Sequence, residues 1–148
     1  MYAPHAASPF GHAHPFASMY RSVGVNTGVE AADPHRLVTM LYDGFVEAIA
    51  QARGALQAGD IERKCAAVGR AARIVDEGLR GALDLEAGGE LAGRLNDLYA
   101  YVLVRLTQAN LRNDETALDE CRRLIEPLRE AWTAIAPQTT TAAAANAR

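Results

Sequence analysis

Four stretches of this chain repeat apolar residues every three or four positions, and that spacing restricts the fold more than any other feature. From Ile61 the residues Cys65, Val68, Ala72, Val75, Leu79 and Leu83 follow at intervals of 4, 3, 4, 3, 4 and 4. Such a period lines them up along one side of an α-helix, whereas a strand needs alternation every second residue. A helix with one apolar stripe gains most of its stability by packing that stripe on other helices. The same period recurs in Leu37, Leu41, Phe45, Ala48, Ala52 and Leu56. It returns in Leu91, Leu95, Leu98, Val102, Leu106 and Ala109, and again in Leu118, Cys121, Ile125, Leu128, Trp132 and Ile135. No strand-like alternation of useful length and no internal repeat breaks the series.

Local signals bound the four helices. Asp33 is placed to cap the first, with Pro34 at the first helical position, where its missing N–H costs nothing. Gly59 stops that helix and Asp60 caps the next. Gly88 and Gly89 in "DLEAGG" (84–89) permit a tight reversal. The third helix is expected from about Glu90 to Asn113 and the fourth after Asp114, with a bend or break at Pro127. The connections are short, so the expected fold is all-α, an antiparallel up-down-up-down four-helix bundle spanning residues 19–135. Residues 1–18, rich in Ala, Pro and His, and the low-complexity residues 136–148 are expected to form disordered tails.

Composition narrows the function classes. A chain of 148 residues is long enough for one domain with a real core, and 49% of it is apolar. The net charge of −3 and the lack of a long basic run leave no nucleic-acid surface. No apolar run approaches the roughly 20 residues of a membrane span, and no basic-then-apolar signal opens the chain, so a cytoplasmic protein without membrane insertion is expected. Cys65 and Cys121 are far apart, without metal-binding spacing, and read as reduced core residues.

Catalytic inventories come up empty. A di-iron bundle needs Glu-x-x-His pairs, and none is present. No Ser-His-Asp set, P-loop or zinc spacing appears. His35 stands at a helix start rather than exposed mid-helix, as phosphotransfer would require, and the pair Asp119-Glu120 reads as solvated surface. The expectation is a binding protein with no catalytic residue, metal or cofactor.

The third helix carries more apolar surface than a bundle helix needs. Beyond its core face, Tyr99 and Leu103 extend the apolar side, and Ala100, Val104 and Leu111 extend it further. On the second helix a small, uncharged flank of Ala67, Ala71, Ile74 and Gly78 lies beside the main stripe. Together these suggest a shallow groove for a helix or extended segment of another protein. The segment 16–32, with Tyr20, Val23 and Val25, reads as a weakly docking cover. Self-association through the same face, in a structural or signalling bundle, is the competing reading.

Several pieces, in order, resemble the flagellin export chaperone family (FliS): "DPHRLVTMLYDG" at 33–44, "GD" at 59–60, "DLEAGGELA" at 84–92, "LYAY" at 98–101 and "QANLRND" at 108–114, with Tyr20 ahead of the Pro-His pair. The resemblance covers roughly residues 20–135. It implies a cytosolic chaperone that binds the disordered C-terminal segment of flagellin, prevents premature polymerisation and delivers the subunit to the flagellar export apparatus. It also implies that the Tyr20 segment is a flap over part of that surface. The departures are a longer lead before Tyr20, Ala100 where an acidic residue is common, and Pro127. The candidate partner-binding set is Tyr20, Ala67, Ala71, Ile74, Gly78, Tyr99, Leu103, Val104, Asn110 and Leu111.

Overall fold

A computed structural model describes residues 33–146, with side chains through residue 135. The expected tail 1–18 and the Tyr20 segment lie outside the described residues. Helix α1 is Pro34–Gln57 and α2 is Ile61–Arg73. The latter continues directly into a π-helical segment, Ile74–Arg80, before α3 (Gly89–Arg112) and α4 (Glu115–Asn146). Among the described residues these helices and their turns make up the fold, with no strand.

The boundary residues act as the sequence requires. The Asp33 carboxylate accepts from Arg36 N–H at 2.7 Å and the Asp60 carboxylate from Arg63 N–H at 3.1 Å. These bonds satisfy donors that a helix start leaves unpaired. Gly59 and Gly89 take positive φ, 75° and 62°, at the first two reversals, and Asn113 takes φ 53° at the third. Pro127 departs from expectation, because α4 runs through it unbroken. A proline removes the donor that would serve the carbonyl four residues back. Here that residue is Arg123, which is exposed, as is Pro127 itself, so water can serve the carbonyl.

The core gathers Leu37, Leu41, Phe45 and Ile49 of α1, Val68 of α2, Ile74 and Leu79 of the π segment, Val102 and Leu106 of α3, and Leu118 and Ile125 of α4. At its centre the hydroxyls of Tyr42 and Tyr99 share a hydrogen bond of 2.8 Å. Burial raises the pKa of both above the usual tyrosine value.

Contacts between helix ends fix how the helices lie. His35, at the start of α1, meets Trp132 of α4: the rings stack at 4.6 Å, Trp132 Nε1 donates to the His35 carbonyl at 2.9 Å, and His35 Nε2 lies 2.8 Å from the Trp132 carbonyl. Arg53, near the end of α1, pairs with Glu115 and Asp119 in the first turns of α4. Lys64, in the first turn of α2, meets Asn110 in the last turn of α3, and Arg80 meets Asn96 near the start of α3. Asp119 and Glu120 are therefore interhelical clamps rather than free surface. Glu120 accepts from Tyr101 at 2.6 Å and from Arg105 at 2.7 Å.

Candidate functional site

The spacing of α2 admits two readings of which side faces the core, and the structure buries parts of both: Val68, Val75 and Leu79 of the expected stripe lie in the core beside the expected groove flank. Ala67, Ala71, Ile74 and Gly78 are buried. Ile61 is 47% exposed, Cys65 is exposed and Ala72 half-buried. Cys121 alone of the two thiols is a core residue, and burial pushes it up to about 12. The small side chains on the expected groove flank serve close packing instead. A Cβ on Gly78 would fall 2.7 Å from Leu41 Cδ2, so a side chain there would force buried Leu41 to move. The π segment contributes as well. Its wider turn stacks residues four and five apart, so that Ile74, Val75, Gly78 and Leu79 are all buried.

On α3 the expected exposed set divides. Tyr99 is fully buried, committed to Tyr42, and is not groove surface. Leu103 is half-buried, Val104 is 54% exposed and Leu111 78% exposed. Asn110 is half-buried and bonded to Lys64. The core face also differs at its start: Leu91 is 57% exposed, and Leu95 and Leu98 are half-buried.

A second set of apolar and small residues flanks the seam of α2 and α3 and offers a candidate groove, one wall of which is rotated from the expected one. The α2 wall is Ile61, Cys65, Gly69 and Ala72, and the α3 wall is Ala100, Leu103, Val104 and Leu111. These positions recur at helical spacing between two anchors, Lys64 with Asn110 at one end and Arg80 with Asn96 at the other. A Cβ added at Gly69 would meet nothing within 4 Å, so this wall opens to solvent. Lys64 lies at one end beneath the surface, 2% exposed, and its ammonium donates to the Asn110 carbonyl and Oδ1, each at 2.8 Å. Sequence reasoning missed Lys64 and Gly69. The signal for Lys64 was a charge within reach of two apolar stripe positions, Ile61 and Val68.

Two other cavities are small, open and partly polar. One, of about 270 Å³, is lined by Met40, Asp43, Gly44 and Glu47; the other, of about 220 Å³, by Gln51, Arg63, Ala66, Ala67 and Arg70. Among the described residues no group of three His, Cys, Asp or Glu is placed to hold a metal. No described helix is long and apolar enough to cross a membrane.

Comparison with known proteins adds an independent observation. Residues 16–139 match the family model described as flagellar protein FliS. The chain belongs to the FliS family. The flagellar secretion chaperone FliS of Salmonella typhimurium is 44% identical over 119 residues, covering 80% of this chain and 88% of that protein. FliSB of Pseudomonas aeruginosa, also a flagellar secretion chaperone, is 44% identical over 116 residues, covering 78% and 91%. FliS of Bacillus subtilis is 34% identical over 113 residues, covering 76% and 80%. FliS membership makes this chain a flagellar export chaperone, and a chaperone family fits the expectation of a non-enzyme.

Proposed function

We propose that this protein is a cytoplasmic chaperone that holds the disordered C-terminal segment of flagellin in the α2–α3 groove. Occupancy prevents premature polymerisation and presents the subunit to the flagellar export apparatus. The framework in this reading is an antiparallel up-down-up-down bundle, supported by the end-to-end pairings of Arg53 with Glu115 and Lys64 with Asn110. The observation that carries the binding reading is the line of exposed apolar residues, Ile61, Val104 and Leu111, across a glycine-opened wall. A large client leaves water by burying such surface, at roughly 25 cal/mol per Å². Ordering the segment offsets much of that gain.

Titration with a flagellin C-terminal peptide tests this. Gly69→Trp fills the open wall and Val104→Glu places a charge against the client. Each is expected to weaken binding at least about tenfold while the circular dichroism of the fold is kept. Wild-type affinity in both variants would remove the groove from the mechanism. Stable dimers that ignore the peptide in sedimentation would favour self-association instead.

A further inference from the structure

Most of the large apolar side chains that meet water already have a place. Ile61, Val104 and Leu111 belong to the candidate groove, and Tyr101 is bonded to Glu120. Two others lie together in sequence on the reversal between the π segment and α3: Leu85 is 55% exposed and Leu91 57% exposed. The reversal that carries them is tightly bonded. The Asp84 carboxylate accepts from Ala87 N–H at 2.9 Å, the Asp84 carbonyl accepts from Gly88 N–H at 2.7 Å, and Leu83 N–H donates to the Arg80 carbonyl at 3.2 Å. Arg80 in turn donates to Asn96 of α3 at 2.9 Å. A fixed backbone presents the two leucines, so a partner meeting them finds little left to order on this side.

The charges around these leucines have one sign. Residues 81–93 hold Asp84, Glu86 and Glu90 and no Lys or Arg. Asp76 and Glu77 of the π segment and Asp97 of α3 are exposed on either side. Arg80 answers Asp76 at 3.6 Å and Arg94 answers Glu90 at 2.9 Å, each as an exposed pair four residues apart. Pairs of that kind are weak in water. Glu77, Asp84, Glu86 and Asp97 have no ion pair among the described residues.

We propose that this reversal is a docking surface for a second protein, separate from the flagellin client. Its occupant is a basic segment whose apolar side chains cover Leu85 and Leu91 while its Lys and Arg side chains meet the unpaired carboxylates. The sign of the charge selects that occupant. A second copy of this chain would bring the same carboxylates face to face, and an anionic lipid surface would repel them. A basic polypeptide gains from both features: apolar burial supplies affinity, and the charges supply encounter rate and choice of partner. The surface lies beyond the Arg80–Asn96 anchor that ends the candidate groove, so its use does not depend on where the client sits.

The test is an NMR titration of isotope-labelled full-length protein with a synthetic Lys/Leu peptide whose leucines recur at helical spacing. Amide shifts are expected to centre on residues 83–95 and to persist when a saturating flagellin C-terminal peptide is present. The same peptide with Glu in place of every Lys should not bind. Leu85→Ser/Leu91→Ser and, separately, Glu86→Lys/Glu90→Lys should each weaken binding of the Lys/Leu peptide at least about tenfold. Circular dichroism should stay unchanged in both, because all four side chains are exposed. Shifts centred on the α2–α3 groove, no binding by the wild type, equal binding of the Glu peptide, or wild-type affinity in either double variant would overturn the assignment. Displacement of the Lys/Leu peptide by the flagellin peptide would also overturn it, because the reversal would then be part of the client surface.

Discussion

Gly69 and Gly78 lie on one helical run yet face opposite surroundings, and the difference is measurable. A methyl group at Gly69 enters open space, so Gly69→Ala is expected to raise stability by about 0.5–1 kcal/mol through helix propensity. A methyl group at Gly78 enters the fully buried Leu41 side chain, and Gly78→Ala is expected to cost about 1–3 kcal/mol despite the same propensity gain. Urea denaturation of the pair gives the two signs, and a stabilised Gly78→Ala would show that α1 and the π segment are not in close contact. Glycine identity was visible in the sequence. Which glycine served packing and which opened a wall was not, because that depends on what stands opposite each. Lys64 teaches the same point: its four-carbon stem packs like an apolar residue while its ammonium reaches a helix end.

At the scale of elements, charged residues that look like solvated surface tie helix to helix. The bonds from Tyr101 and Arg105 hold the Glu120 carboxyl below its usual range, and those from Arg123 and Arg122 do the same for Asp119. A carboxylate with a depressed folded pKa contributes stability that is present above its unfolded value and lost as pH falls through the folded one. The seam of α4 with α3, which Glu120 holds, is therefore expected to weaken below about pH 4. Melting temperatures recorded from about pH 6 down to about pH 3 should fall less steeply for Glu120→Gln than for the wild type. Parallel slopes would mean that the Glu120 bonds carry no pH-dependent stability. The helices themselves, their caps and their reversals were legible because those signals are local. The rotation of α2 was not, since two overlapping stripes satisfy the same period and only the fit against α1 sets how much of each is buried.

For the whole molecule, the wide apolar face of α3 is divided rather than simply displayed. Tyr99 closes inward on Tyr42, while Val104 and Leu111 remain in contact with water. Tyr99→Phe is expected to leave flagellin-peptide binding within about twofold and to cost the fold about 1–3 kcal/mol, because the buried Tyr42 hydroxyl loses its bond to Tyr99. A large loss of peptide affinity with unchanged stability would return Tyr99 to the client surface. The same division explains why the apolar excess was readable in the sequence while half of the proposed site residues turned out to be core.

By itself the sequence determined the helical class, the helix ends, the family and the existence of more apolar flank than a bundle needs. Each is set by spacing, by capping chemistry or by motifs that lie within a few residues of one another. Only the tertiary structure decided that the small-residue flank of α2 also faces inward, that α4 runs through Pro127, and that a buried ammonium of α2 reaches the end of α3. Those outcomes depend on the shape complementarity of side chains far apart in the chain, with Gly78 under Leu41 settling the rotation that periodicity left open.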